Sequence, residues 1–544
     1  MPTVGGDRHF ELAGAWSGVE PAWDDARTEA WLRAFLVLGV VLRVVRFGLV
    51  YPLWRDEAYV AVNLLTRDFA SLTRPLDYQQ VCPLGFLWVE KAISELLGFS
   101  EWSLRLLPTL AAIASLFLFR HVAGRLLRGT GLVIAVAFLA IAYTPIRHGG
   151  EIKPYATDFL VALGLIVLAV EWLRAPDRTR FLWALAAIGP LAIGLSNPAV
   201  FIVASVGLVL VVPVWKARSS RVIVPFGLYV LGTLATFLVL LRWVNGPQSD
   251  SVMSWMRVYW AGAFPPHSPW RVLTWLVRVH TSQMFAYPAG GDMGASTGTT
   301  VLVGVGILAY VRRGPRLVLS MLLVPFAFGL LAAFLGRYPY GGSARTMQYV
   351  APSILLLAGL GAAVLIARLP WPQWRERAPG LVLSVLFLIG LGMMAWDVTH
   401  PYKELSDVTS RDFARRFWAE ESRGAELVCS RTDLHLPLDA LVWDRDRAAL
   451  YLCYQALYSK HHHAQALPRL DQVSVTHPLR VVVFDPTQRD LQVMVKWLEA
   501  NANQYELRSR HTRVLNAGTF RGKEPCEERY VVYELVPRGT DTKR

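Results

Sequence analysis

Runs of about 16 to 23 predominantly apolar residues recur between residues 33 and 397, most of them stopped by a short cluster of charge. A run of that length crosses the hydrocarbon core of a bilayer as a helix. The runs are apolar on every side rather than along one stripe, so most of the chain meets lipid or other helices and very little meets water. Window hydropathy places about eleven spans, at 33–52, 104–124, 130–146, 156–173, 181–196, 198–215, 222–243, 298–311, 316–335, 347–367 and 380–397. The fifth and sixth are separated only by Ser196-Asn197-Pro198, a tight turn by composition. With 54% hydrophobic and 18% charged residues, the composition departs from that of soluble domains in the same direction.

The net charge of +14 does not point to nucleic acid, because the excess is mostly Arg in the short loops. One alternate set of loops holds Arg120, Arg125, Arg128, Arg174, Arg178, Arg180, Lys216, Arg218, Arg221, Arg312, Arg313, Arg316, Arg368, Arg375 and Arg377. The opposite set holds only Arg147, Lys153, Arg337 and Arg345. The positive-inside rule makes the first set cytoplasmic. The expected organisation is therefore a cytoplasmic segment at 1–30, a transmembrane domain at 31–398 and an extracytoplasmic domain at 399–544. Residues 1–30 are polar, with no apolar core of a signal peptide.

Two long outer loops are expected, at 54–103 and 245–297. The C-terminal domain reads as α/β: strands near 426–429, 479–484 and 530–535, helices near 447–458 and 491–500. The chain has four cysteines, without metal-ligand spacing. Pairing among Cys429, Cys453 and Cys526 stays open, with room for one disulfide and a remaining thiol. No internal repeat is evident, which weighs against an inverted-repeat transporter.

Three motifs on the outer side carry groups suited to chemistry. The first is WRDEAY, Trp54 to Tyr59. Two adjacent carboxylates at a membrane interface are costly to hold, and on a helix they point about 100° apart, so Asp56 and Glu57 are expected to do different jobs. An ionised Asp accepts a proton from an attacking hydroxyl; a helix cap with a salt bridge to Arg55 is the structural alternative. The second is RHGGEIKPYATD, Arg147 to Asp158. Here Gly149-Gly150 permit close backbone approach, Lys153 offers a point charge to phosphate, and Glu151 orients Lys153 or binds a sugar hydroxyl. The third is GRYPYGGSARTMQY, Gly336 to Tyr349, in which Arg345 suits two phosphate oxygens. Tyr338 and Tyr340 stack on a sugar or sit in an interfacial aromatic belt. Arg43 and Arg46, three apart in the first span, share a face and point into the bundle or snorkel. A metal at His461–His463 is disfavoured, since no matching ligand spacing accompanies the tract.

In order, the chain shows W-x-D-E after the first span, Cys82-Pro83-Leu84, R-L-L-P before the second span, E-x-K-P-Y after the third and Y-P-Y-G-x-x-x-R before a late span. This order resembles the GT-C superfamily, in a branch similar to bacterial protein O-mannosyltransferases and lipid A aminoarabinose transferases. The resemblance covers roughly residues 31–400. It implies an all-α polytopic enzyme of the cytoplasmic (inner) membrane with a C-terminal extracytoplasmic domain. The implied activity is inverting transfer of a hexosyl or pentosyl unit from a polyprenyl-phosphate donor to a hydroxyl of a protein, glycan or lipid acceptor. It matches Asp56 to the catalytic carboxylate, Glu57 to the adjacent substrate contact, and Lys153 and Arg345 to the lipid phosphate. Glu151, Tyr155, Tyr338, Tyr340, Arg147 and Arg337 are further substrate-binding candidates. No D-x-D pair lies near the site, which leaves a divalent metal such as Mg or Mn open. A phosphate leaving group surrounded by cations requires one base and no general acid. The competing functional class is a lipid or oligosaccharide transporter or flippase, which predicts repeats and ionisable residues deep within spans.

Overall fold

The computed structural model describes residues 23–403 and 405–416, and beyond them 427–430, 453–454, 456–458, 465–466, 479–484, 488–517 and 526–538. The chain divides into two units: one of residues 1–49, 69–92 and 105–399, the other of 50–68, 93–104 and 400–544.

The first unit is a helical bundle. Its long helices are α1 (Asp25–Gly48), α4 (Ser103–Leu126, entering at Arg105), α5 (Gly129–Ile141), α6 (Tyr143–Gly149), α7 (Tyr155–Arg174), α8 (Arg180–Leu195), α9 (Ala199–Ala217), α10 (Ser220–Leu240), α13 (Thr297–Arg313), α14 (Arg316–Phe334), α15 (Ala351–Ala367) and α16 (Pro372–Thr399). The intervening α11 (Gly246–Tyr259) and α12 (Pro269–Thr281) lie in the loop expected at 245–297. Helix α2 (Arg55–Thr66) belongs to the second unit, and α3 (Leu84–Leu97) begins in the first.

Seven helices among the described residues are long and apolar enough to cross a membrane, and α5 with α6 makes an eighth if that bent pair is one span. The chain is a multi-pass membrane protein. The three remaining expected spans coincide with α1, α8 and α13. Helices α8 and α13 are short, at 16 and 17 residues, and α1 carries Arg33, Arg43 and Arg46 within its apolar stretch. Helix α5 is buried almost throughout, which its uninterrupted apolar sequence requires. It packs against α1, α15 and α16, and α15 packs in turn against α13.

The chain bends by 47° between α5 and α6, at Ala142. Carbonyls of a helix's last turn have no intrahelical donor, and here Arg43 supplies one. Its Nη2 donates to Leu139 O at 3.2 Å and its Nη1 to Ala140 O at 3.2 Å and Gly39 O at 2.9 Å. Arg46 forms an ion pair with Asp397 at 3.0 Å. Both arginines are buried and point into the bundle, so neither snorkels.

The second unit contains a five-stranded sheet of β1 (Leu427–Ser430), β2 (Gln465–Ala466), β3 (Leu479–Phe484), β4 (Tyr505–Ala517) and β5 (Cys526–Pro537). Its order is β2-β1-β3-β5-β4. Strands β1–β2 and β1–β3 pair in parallel, β3–β5 and β5–β4 antiparallel. After α17 (Leu405–Arg416), helix α18 (Gln488–Ala500) precedes β4. Its Leu491, Met494, Trp497 and Leu498 recur at helical spacing and cover Val531, Tyr533 and Leu535, which alternate along β5. Both expected strands at 426–429 and 479–484 and the helix at 491–500 are present, and β5 contains the third expected strand. Strand β4 went unread because YELRSRHTRVLNA is polar or charged at most positions, as befits the sheet's edge. The helix expected at 447–458 falls largely outside the described residues. Cys453 is a buried free thiol.

Candidate active site

The end of α6 and the loop that joins it to α7 carry Arg147, His148, Glu151 and Lys153 close together. Glu151 is the centre of this group, buried to 4% exposure. Arg147 Nε donates to Glu151 Oε1 at 2.8 Å, and His148 Nδ1 lies 2.9 Å from Oε2. The first bond is the i,i+4 contact that a helical turn provides. Burial alone pushes the Glu151 carboxyl up, but the charges of Arg147 and His148 outweigh it and hold the group well below the usual carboxylate range. Glu151 is thus an ionised hub with both oxygens engaged. Lys153 N donates to the Glu151 backbone carbonyl at 2.7 Å, but the carboxylate does not take the ammonium, the orienting role considered for it.

Lys153, at 5% exposure, sends Nζ to Oε1 of Gln80 at 2.8 Å. Among the described residues it has no carboxylate partner. Burial of an ammonium against a neutral amide alone is expensive. The same charge lies within electrostatic reach of Cys82, whose thiol burial pushes up to about 11. That excludes a thiolate nucleophile at neutral pH. Cys82 also feels Asp158, buried in the first turn of α7, whose field extends to Tyr338. The segments 80–82, 147–158 and 338–349 therefore converge.

Arg345 completes the group. It lies within electrostatic reach of Arg147 and His148 and is half-buried. Its Nη2 reaches the Tyr259 hydroxyl at 3.4 Å, and its guanidinium stacks over Trp260 at 4.8 Å. Ser343 caps the segment that carries it, accepting from Arg345 N.

The aromatic candidates divide. Tyr155 is half-buried and meets His148 edge-on, with ring centroids 4.8 Å apart. Tyr338 donates to Thr346 O at 2.9 Å and packs edge-on to Phe201 and Tyr349. Tyr340 is enclosed at 1% exposure, its hydroxyl 3.0 Å from His280 Nε2 and its ring against Trp275. It anchors the loop and presents no open face for a sugar. Arg337 is exposed. The Gly149-Gly150 pair does permit close approach, but the approach is of other helices: a Cβ on Gly149 would come within 2.6 Å of Ala112 Cβ, and Gly150 lies under Arg46.

Asp56 and Glu57 belong to the second unit, in the first turn of α2. Both benefit the helix N-terminus electrostatically. Glu57 is buried to 1% and accepts the Trp54 backbone N–H at 3.4 Å, a capping contact. Asp56 is half-buried. The two carboxylates thus differ in environment, as their adjacency on a helix required. Lys403 stacks on Trp54, immediately before this turn. Among the described residues no three His, Cys, Asp or Glu side chains are grouped to hold a metal ion.

The sequence alone did not single out Gln80, Cys82 or Asp158 for a role. The signal for Gln80 was slight, because a Gln in a polar loop before Cys82-Pro83 has many ordinary explanations.

No family model and no curated protein matches the sequence. Among solved structures, ArnT from Cupriavidus metallidurans superposes with a TM-score of 0.50 over 93% of this chain and 98% of its own, at 14% identity. The chain has the GT-C fold. The same values hold for that protein bound to undecaprenyl phosphate. The oligosaccharyltransferase of Archaeoglobus fulgidus, complexed with Zn and sulfate, gives a TM-score of 0.42 at 11% identity, covering 77% of this chain and 61% of its own.

Proposed function

We propose that this chain is a membrane glycosyltransferase that moves a hexosyl or pentosyl unit from a polyprenyl-phosphate donor to an acceptor hydroxyl, with inversion. The observation that carries the reading is Lys153: a buried ammonium with a neutral amide as its hydrogen-bond partner, in a loop whose Glu151 is already committed elsewhere and whose preceding Arg147 lies within electrostatic reach of Arg345. Such a cluster is matched to an anion. The GT-C fold adds the class of enzyme, and the ArnT complex with undecaprenyl phosphate adds the kind of ligand that fold holds in another protein.

In this reading eleven spans follow a cytoplasmic N-terminus, which puts the loops of Arg147, Lys153 and Arg345 and residues 399–544 outside the cytoplasmic membrane. Lys153 and Arg345 bind the donor phosphate, with Arg147 and Arg337 as further cations. Tyr155 and Tyr338 contact the sugar, and Glu57 positions the substrate while capping α2. Asp56 takes the acceptor's proton as the hydroxyl oxygen bonds to the anomeric carbon. The carbon–oxygen bond to phosphate breaks with its electron pair on the leaving oxygen, and polyprenyl phosphate departs unprotonated. Positioned base catalysis contributes about 10²–10⁴-fold, and cations fixed in a water-poor site add a few kcal/mol.

The test is transfer of radiolabelled sugar from polyprenyl phosphate by the purified chain, beside a donor-binding assay. Asp56→Asn is expected to bind donor normally and lose at least about 10²-fold in turnover. Near-normal turnover in that variant would remove Asp56 from the base role. Failure of the chain to bind any polyprenyl phosphate would remove the function itself.

A further inference from the structure

A groove of about 1160 Å³ lies between α11, α12 and the end of α14. Arg257, Arg271 and Arg278 line it together with Trp275, Phe334 and Leu335. No Asp or Glu is among its lining residues, and Lys153 and Arg345 are not part of it. Arg257 and Arg271 have no carboxylate partner among the described residues, while Arg278 Nη2 donates to Gly262 O at 3.2 Å. Gly336, at φ +64, lets the Arg257 guanidinium approach the turn after α14, since a Cβ there would stand 3.2 Å from Nη2.

Helix α12 explains the depth at which the groove sits. Trp270, Leu273 and Val277 are exposed at 76%, 54% and 64% and share one face. Arg271 and Arg278, seven residues apart, share another, about a third of a turn away. A helix with such faces lies in the plane of the membrane interface. The groove's other wall is the end of a membrane-spanning helix, where Phe334 and Leu335 are exposed at 54% and 64%. Three cations are therefore held at headgroup level beside an apolar surface at acyl level.

We propose that this groove binds the anionic phosphate head of a phospholipid from the surrounding leaflet, with the acyl chains against Phe334 and Leu335. The charge of the groove selects against zwitterionic heads, and its apolar wall selects against soluble phosphates. The segment 259–264 that floors the groove also meets the donor cluster: Tyr259 and Trp260 contact Arg345, and Tyr340 N donates to Ala263 O at 2.8 Å. A lipid in the groove thereby braces the loop that carries Arg345.

The experiment is native mass spectrometry of the full chain released from detergent with dioleoyl phosphatidylglycerol, dioleoyl phosphatidylcholine or undecaprenyl phosphate added. One phosphatidylglycerol is expected to be retained in preference to phosphatidylcholine. Arg271→Gln with Arg278→Gln should weaken that retention roughly tenfold to thirtyfold, with the chain still melting as a folded protein, and Lys153→Ala should leave it intact. Equal retention of the two phospholipids overturns the proposal, as does loss of retention in Lys153→Ala. Displacement by free glycerol phosphate at equal concentration overturns the membrane source, and stronger retention of undecaprenyl phosphate at the same arginines overturns the choice of ligand.

Discussion

Lys153 and Gln80, 73 positions apart, are joined by a 2.8 Å hydrogen bond from ammonium to amide oxygen. The bond holds the loop after α6 to the loop before α3. A neutral partner fixes the ammonium without cancelling its charge, which leaves it able to meet phosphate.

Substitutions at these two positions separate positioning from charge. Lys153→Ala is expected to weaken polyprenyl-phosphate binding by about 10- to 100-fold, the worth of a charge-assisted hydrogen bond. Gln80→Glu should also weaken it, because the new carboxylate competes for the ammonium. Gln80→Ala should have the smaller effect, since the charge survives. Donor binding to the three purified variants checks the order, and unchanged binding in Gln80→Glu would remove Lys153 from phosphate recognition.

Glu151 holds two cationic or potentially cationic groups in a buried setting, so Glu151→Gln is expected to destabilise by about 3 kcal/mol. The pH dependence follows from the direction of its shift. Its carboxyl is lower in the folded chain than in the unfolded one, so its stabilisation is present above the ordinary Glu range. It is lost only as pH falls through the depressed folded value. Melting in detergent between pH 7 and pH 3 should show the wild type losing this contribution on acidification while Glu151→Gln has none to lose. Parallel melting curves for the two would contradict the assignment of Glu151 as an ionised hub.

Most of the spans were legible because hydropathy acts over whole helices. The bend at Ala142 was marked only by Pro145, which cannot donate to the Ile141 carbonyl four residues back, and the Arg43 that serves the bend lies about a hundred residues earlier. The site was legible in part. Lys153, Glu151 and Arg345 stood out as charges beside apolar helices, but which of them pair is a matter of tertiary geometry. Sequence neighbours Glu151 and Lys153 turn to different partners, and Tyr338 and Tyr340, two residues apart, differ in what they contact. Polar residues without charge, such as Gln80, carry no pattern that window statistics register.

Glu90 in α3 is fully buried, and neither carboxyl oxygen has a hydrogen-bond partner among the described residues. Burial pushes its carboxyl well above the ordinary value. The folded chain therefore holds the proton more tightly than the unfolded one. The stabilisation this brings is complete below the unfolded value and is lost as pH rises through the folded value. Glu90→Gln, neutral at every pH, is expected to match wild type near pH 4 and to exceed it increasingly towards pH 9, by on the order of 1 kcal/mol or more. Melting temperatures across that range decide it, and a gain that shrank with rising pH would reverse the sign.

Arg43 yields the last prediction, because a structural role and a transport role for it give different outcomes. As a structural group it satisfies three carbonyls at and beside the α5–α6 bend. As a transport group it would carry an ion or substrate and would be dispensable to the fold. Arg43→Met preserves much of the side chain's length and removes the donors, leaving buried acceptors unpaired at about 1–3 kcal/mol each. Relaxation and ordered water reduce the sum, so a loss of about 3 kcal/mol is expected, seen as a lower melting temperature in detergent. Arg43→Lys should recover part of it, since one ammonium cannot span the carbonyls that a planar guanidinium reaches. Below the melting point, donor binding in Arg43→Met should stay close to wild type, because α6 still carries Arg147 and His148 to the same loop. A variant that melts normally yet fails in transport would favour the transporter reading. A variant that melts early and binds normally is what a helix-bend cap predicts.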